Sequence, residues 1–433
     1  MAKAPIAARP QAVSAYRLHP SQCSRLAGIE GMRALAAGSI LVVHVWLYSS
    51  PTGRPVDLGP MTRVLLDLQY GVTLFFTLSG FLLYRAFAAA ALHDEPSPSI
   101  RAYLRNRALR IFPVYWVILL VAAIGLQSVL VRDPSGLHNG AGFDAGLLVR
   151  SALLVQNYDP QTTITGIGPA WSLSVEVVFY LVLAVLGAGA CKAVRLVRTR
   201  SHRRLVALAP AGVLLVVGLS GKAAAAWLVP GHPGSDGFGA DWHSVVERSF
   251  WCQADLFAFG MALAVARVEH EDGRLRLPRH WRPVTAAAAL AGYLLTADRM
   301  EFAQQLGHSR YNTLMAAVCA LLLALVVLAP GEHGYTRLVR ALESRVLVGA
   351  GVISYSVFLW HEPLVRFLQQ HGLTVGGRAG FFANVLVVAA ICGLLATVTY
   401  RFVELPALRL KSRRPRHGGP PRIVPADKPA NAA

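Results

Sequence analysis

The chain has 433 residues, of which 54% are hydrophobic and 15% charged, with a formal net charge of +19 and a mean hydropathy of +0.46. Several apolar runs approach or exceed the ~18–20 residues that cross a bilayer as a helix. This excludes an ordinary soluble domain, and it makes membrane topology the first explanation to test for the excess of Lys and Arg, ahead of nucleic-acid binding.

Residues 1–31 hold Lys3, Arg9, Arg17 and Arg25 with three prolines and no apolar core, so they read as a cytoplasmic segment and not as a signal peptide. Ten spans follow, at 33–49, 70–91, 109–130, 170–190, 205–229, 245–266, 283–298, 313–329, 346–368 and 381–402. The segment 143–157 is amphipathic and too short to cross; it is expected to lie at the surface or to re-enter. The expected fold is therefore an all-α integral membrane protein, about ten transmembrane helices in one bundle. The membrane domain runs from 32 to 408, and 409–433 is a flexible basic tail.

Charge orients the bundle. One set of alternate loops and ends carries 31 of the 42 Lys and Arg, the other carries 8, and Arg33, Arg248 and Arg366 lie within spans or at their edges. Such a bias places both termini in the cytoplasm of a multi-pass protein of the cell membrane, and it accounts for the net charge with no nucleic acid. The five cysteines, Cys23, Cys191, Cys252, Cys319 and Cys392, include no Cys-x-x-Cys pair. They read as small buried hydrophobes, and no metal is expected.

Inside this frame the polar residues stand out. Arg33 and His44 are eleven residues apart in the first span, about three turns plus 20°, so they share one stripe roughly 16 Å long. Glu30 belongs to the same stripe. At ~1.5 Å per residue, Ser79 lies about 13 Å and Glu176 roughly 10 Å below the outer edge, and His361 about 24 Å above Arg345. Ionisable groups at such depth are functional candidates. Arg101, Arg105, Arg107 and Arg110 crowd the inner edge of the third span; Arg101 and Arg105 read as ordinary positive-inside anchors, whereas Arg107 and Arg110, one helical turn apart at the membrane edge, read as ligand-binding, since guanidinium forks match phosphate oxygens. The polarity is that of a phosphate-bearing ligand on the inside, an acyl-CoA or a phospholipid headgroup, with proton-transfer groups further out. An enzyme, a transporter or lipid flippase without acyl transfer, and a noncatalytic scaffold all remain open at this point.

The motifs narrow the choice. Arg25-Leu-Ala-Gly-Ile-Glu-Gly-Met-Arg-Ala34 precedes the Arg33–His44 pair. Phe75-Phe-Thr-Leu-Ser-Gly-Phe81, Arg107-Ala-Leu-Arg-Ile-Phe-Pro113, Trp171-Ser-Leu-Ser-Val-Glu176, Ile353-Ser-Tyr-Ser-Val-Phe-Leu-Trp-His361 and Tyr400-Arg-Phe-Val-Glu-Leu-Pro406 follow in order. In this set the chain resembles the acyltransferase-3 family of membrane O-acyltransferases, from about Leu26 to Leu408. Glu30-Gly-Met-Arg33 departs mildly from the commoner Asp-Gly-Leu-Arg.

The resemblance implies transfer of an acyl group, often acetyl, from acyl-CoA to a hydroxyl of a glycan or glycosylated acceptor. His44 would be the general base, oriented by Glu176 or, as the weaker alternative, by Glu30. Arg33, Arg107 and Arg110 would hold the donor. Ser79, Gly80, Trp171, Ser172 and His361 would line the pocket, with Gly80 letting backbone approach a ligand. His361 has a second reading, as the brace of a helix broken at Pro363. Asp255 is expected to pair with an arginine such as Arg248, and Glu404 to form a structural salt bridge beside Arg401. Acceptor identity, acyl length and oligomeric state are left open.

Overall fold

Where water is absent, a backbone must satisfy its own N–H and C=O groups, and a helix does so within one segment. The computed structural model describes residues 26–133, 136–140, 144–229, 237–297, 308–328 and 335–411, and within these the apolar runs are helical. The principal helices are α1 (Ile29–Tyr48), α2 (Gly71–His93), α3 (Ile100–Leu120), α4 (Trp171–Ala193), α5 (Arg200–Trp227) and α6 (Phe250–Glu271). They are followed by α7 (Trp281–Ala297), α8 (His308–Val327), α9 (Arg345–Val352), α10 (Ser354–Gln370) and α11 (Gly377–Thr399).

Among the described residues, seven segments are long and apolar enough to cross a membrane, those built on α1 to α6 and on α11. The other three expected spans are shorter. α7 and α10 have 17 residues each, and the apolar part of α8 is Tyr311–Val327. The ninth expected span is divided in two, and the break is not at Pro363, which lies inside α10. It falls at Ile353, after the glycine-containing stretch Val348-Gly-Ala-Gly-Val352, where α9 ends and α10 begins. Glycine weakens a helix interior, and at Gly351 any side chain would strike the Glu30 backbone.

The third span also differs from its expected bounds. Its helix starts nine residues earlier, where Ser99 accepts a bond from the Ala102 N–H. It ends in a π-turn at Val121–Gly125. Arg101, Arg105, Arg107 and Arg110 therefore stand on α3 itself. Beyond it, strands Leu130–Asp133 and Gly136–Asn139 pair antiparallel. The short segment at 143–157 forms a helix over Ala145–Ala152, capped by the Asp144 side chain on the Leu147 N–H at 2.7 Å. It lies against the far end of α3, where Tyr115 and Trp116 donate to its last carbonyls. The expected end segments fall outside the described residues except for 26–31 and 409–411. Within those remnants, Ile29 opens α1, and Leu26 and Lys411 line a cavity between the helices.

The core is organised around α6, against which α2 and α5 pack most extensively. Gly80 of α2 and Gly260 of α6 face each other's helix so closely that a Cβ on either would collide with backbone, at Phe257 and Thr77 respectively. Gly80 thus serves helix packing and not the approach of a ligand. Phe257 stacks with Phe76 at 4.7 Å and with Phe179 at 3.9 Å between centroids, linking α2, α6 and α4. Asp255, fully buried, pairs with Lys222 (2.5 and 2.6 Å) and accepts from Thr313 (2.5 Å), which ties α5, α6 and α8 together. The expected Asp255–Arg248 pair is not formed. A lysine on the neighbouring helix reaches the carboxylate, and Arg248 lies across aromatic rings instead.

This packing makes a direct prediction. Gly260→Ala forces a methyl into the α2 backbone, a kind of overpacking that costs about 1–3 kcal/mol, whereas Gly189 has open space beside it. Thermal unfolding in detergent should show a lower midpoint for Gly260→Ala and an equal or higher one than the parent for Gly189→Ala. Equal midpoints would contradict the close contact.

Candidate functional site

Between α1, α2, α3, α4 and α10 lies a cavity of about 520 Å³. Its lining sorts by chemistry along its length. At one end are Arg33, Arg85, Arg107, Arg110 and Lys411; in its wall are Ser79, Ser172 and Glu176; towards the other end are Phe75, Phe76 and Phe358. The helices carry these residues for simple reasons of period. Val352, Tyr355 and Phe358 recur at three-residue steps on one side of the α9–α10 segment, and Val72, Phe75, Phe76 and Ser79 lie on one side of α2.

Most of the cations are already neutralised. Arg33 bonds Glu30 at 3.0 Å, and Arg85 bonds Glu271 at 2.9 Å. Arg110 pairs with Glu404, whose side chain is wholly buried and also accepts from Ser356. Glu404 is therefore a structural ion-pair partner, as expected, but of Arg110 on α3 and not of Arg401 next to it in sequence. Arg107 and Lys411 make no ion pair among the described residues, and the buried Arg107 Nε has no hydrogen-bond partner. These two are free to meet an anion. Burial pushes the Lys411 ammonium down to about 8, and the charges of Arg107 and Arg110 push it the same way. Sequence reasoning missed Lys411 because it sits beyond the last span. The signal was its place seven residues after Glu404, two turns further along the chain that Arg110 anchors.

In the cavity wall the Ser79 hydroxyl donates to Glu176 Oε1 at 2.7 Å. This bond between α2 and α4 explains why a serine faces a glutamate there. Glu176 is not the partner of His44. Trp171 and Ser172 open α4 above it, with Ser172 donating back to the Pro169 carbonyl and Phe76 meeting Trp171 edge-on at 6.3 Å.

His44 instead meets His361. Nδ1 of His44 lies 2.8 Å from Nε2 of His361, and the rings stack with centroids 4.9 Å apart. The network assigns the protons. His361 Nδ1 lies 3.3 Å from the Val357 carbonyl, which can only accept, so that nitrogen carries hydrogen. Its Nε2 is then an acceptor, and His44 Nδ1 must donate. Nε2 of His44 is left with a bare lone pair and no partner among the described residues, on a side chain that is half-buried. His361 is buried, three residues past Phe358, so the pair lies about one turn (~4.5 Å) beyond the cavity lining on α10. The structure thus brings Arg33, Arg107, Arg110, Glu30, Ser79, Ser172 and Glu176 to one cavity, places the two histidines just past it, and keeps Asp255 elsewhere. Chemically, the constellation offers anion binding at one end and a proton acceptor near the other.

Residues 26–401 match the family Acyl_transf_3, described as "Acyltransferase domain". Among curated relatives, the acyltransferase MdmB of Streptomyces mycarofaciens is 27% identical over 91% of this chain and 95% of its own length. A provisionally named membrane-bound transacylase, BcsY of Komagataeibacter xylinus, is 25% identical over 90% of this chain and 85% of its own. A provisionally named peptidoglycan O-acetyltransferase, YrhL of Bacillus subtilis (strain 168), is 24% identical over 90% of this chain and 56% of its own. No solved structure matches.

The pairing pattern separates two arginines that look alike in sequence. Arg110→Gln strands the buried Glu404 carboxylate and should cost about 3 kcal/mol or more of stability, whereas Arg107→Gln removes a charge that has no ion-pair partner among the described residues. Melting curves of the two variants should differ by several degrees. A destabilised Arg107→Gln with an intact Arg110→Gln would invert the assignment.

Proposed function

Because this chain belongs to the Acyl_transf_3 family of acyltransferases, we propose that it transfers an acyl group, acetyl in the simplest case, from acyl-CoA to a hydroxyl of a carbohydrate, an envelope glycan or glycolipid, or a glycosylated metabolite. The observation that carries this reading is the cavity itself. It runs from two unpaired cations, Arg107 and Lys411, past a hydroxyl–carboxylate wall, to within a turn of a histidine pair with one bare nitrogen. The basic end faces the cytoplasm in this reading, because the arginine-rich loops of the sequence gather there, and α7, α8 and the α9–α10 segment supply three further spans. The provisional name of YrhL, peptidoglycan O-acetyltransferase, supports acetyl as the group and a glycan as the acceptor.

The chemistry then follows. A thioester is already activated, so the protein has to hold the donor, bring up a hydroxyl and remove its proton. Arg107 and Lys411 take the CoA phosphates through charge-assisted bonds, with Arg33 and Arg110 adding charge from fixed ion pairs. The acceptor hydroxyl gives its proton to Nε2 of His44 as its oxygen attacks the thioester carbonyl. The new ester bond forms, the carbon–sulfur bond breaks, and the proton returns from His44 to the departing thiolate. His361 keeps the His44 ring in the tautomer that leaves Nε2 bare. Ser79 and Glu176, fixed on each other, line the path of the donor's arm.

Two measurements test this. Purified protein should release CoA from acetyl-CoA, and His44→Ala should lose at least a hundredfold of that rate, the scale of general-base catalysis, while still binding CoA. A His44→Ala protein that turns over at the parental rate would remove the histidine from the mechanism.

The second concerns the donor site. Arg107→Gln should weaken CoA binding about tenfold or more, as expected for a lost charge-assisted bond. An anion favours the charged form of Lys411, so binding takes up a proton near pH 8. CoA affinity should hold below pH 8 and fall as the pH rises through it, and Lys411→Arg should flatten the fall. Affinity independent of pH from 7 to 9.5 in the parent protein would sink the role of Lys411.

A further inference from the structure

On the far side of the histidines from the donor cavity lies a second set of charged and aromatic groups. α1 and α10 run parallel here: His44 meets His361, and one turn on, Tyr48 meets Arg366, whose guanidinium carbon stands 3.9 Å from the Tyr48 ring centroid. Arg366 is neutralised, since Glu362 Oε1 lies 2.6 Å from its Nε and 2.5 Å from its Nη2. Its Nη1 donates to Asn139 at 2.9 Å.

Arg248 has no carboxylate within ion-pair distance among the described residues, and the nearest acidic charge acting on it is that of Glu247 beside it. It stands just before α6 and its guanidinium carbon lies 3.9 Å from the Phe238 ring and 4.5 Å from the Trp171 ring. Nε donates to the Gly237 carbonyl at 3.0 Å, which leaves both terminal nitrogens without a hydrogen-bond or ion-pair partner among the described residues. The adjacent carboxylate, Glu247, lies 3.6 Å from His243. Arg248 is half-buried, as are Tyr48 and Trp171, and its charge acts on Tyr48. Tyr48 in turn lies 5.3 Å from the His44 ring. Trp171 adjoins Ser172, which lines the donor cavity. An arginine held by two aromatic rings, with its outer N–H groups free, is a preorganised fork for a planar or tetrahedral oxyanion.

We propose that Arg248 binds an anionic group, a carboxylate or a phosphate, carried by the acceptor, and so selects acidic acceptors for acylation next to His44. The proposal rests on the acyl-transfer reading above for its meaning, but the anion site stands on the geometry of Arg248 alone. The acceptor's charge is held by Arg248 at Trp171 and Phe238, and a neighbouring hydroxyl reaches Nε2 of His44 past Tyr48. The donor's phosphates stay at the opposite end, on Arg107 and Lys411.

The test uses the full-length protein in detergent and three probes that differ in one substituent: methyl glucoside, methyl glucuronide and methyl glucoside 6-phosphate. Binding is read by calorimetry or saturation-transfer NMR. The parent protein should bind at least one acidic probe roughly tenfold or more tightly than the neutral glucoside, and which one it favours distinguishes carboxylate from phosphate. Arg248→Gln should erase the preference, and Arg248→Lys should keep part of it. CoA binding at the far end reports whether each variant is folded. Equal affinity of the parent for all three probes, including no measurable binding of any, overturns the proposal, as does a preference that survives in a folded Arg248→Gln. Release of CoA from acetyl-CoA is followed in the same preparation. If that activity is absent while the Arg248-dependent preference is present, the acyl-transfer reading fails and the anion site remains.

Discussion

The contact between His44 and His361 is the constraint on which the site depends. Two imidazoles 317 residues apart in sequence share one hydrogen bond, and the Val357 carbonyl decides which way it runs. That direction fixes which nitrogen of His44 is bare. The contact itself sets the register of α1 against α10, which puts Tyr48 on Arg366 further along the two helices. The break at Ile353 adds to this by letting α9 and α10 follow α1 separately, with Gly351 against Glu30 and His361 against His44.

The charges around this pair fall into two kinds. Arg33, Arg85, Arg110 and Arg366 each have a carboxylate within hydrogen-bond reach, and so does the buried Lys222. Removing one partner of such a pair leaves a buried charge uncompensated, so these belong to the fold as much as to any ligand. Arg107, Lys411 and Arg248 have no such partner among the described residues, and all three are half-buried. Two of them stand at the basic end of the cavity and one beyond the histidines. Cations that are unpaired among the described residues thus stand on both sides of the histidine pair.

Much of this was legible in the sequence, because apolar runs of the right length can only be helices where water is absent. The Arg33–His44 stripe was likewise visible, since both residues share one helix and its period is fixed. What failed were partnerships between helices. Depth gives one coordinate, and depth together with the motif points Glu176 at His44; the angle of α4 turns it to Ser79 instead. Asp255 went to Lys222 and not to Arg248 for the same reason. Gly80 lay in a signature motif and so suggested a ligand, yet its missing side chain is needed by Phe257 of α6. Lys411 does not stand out in the sequence because it lies past the last span, and Arg248, at the edge of the sixth, reads only as a partner for Asp255. Only the folded chain shows that, among the described residues, neither has an ion-pair partner.

The most direct test of this account is the tautomer of His44, read from nitrogen-15 NMR of histidine-labelled protein and assigned among the 14 histidines by comparison with His44→Gln. The account predicts a neutral ring with hydrogen on Nδ1 and a bare Nε2, and loss of that preference in His361→Ala. Hydrogen on Nε2 of His44 in the parent protein would contradict it, because the nitrogen assigned to take the acceptor's proton would already hold one.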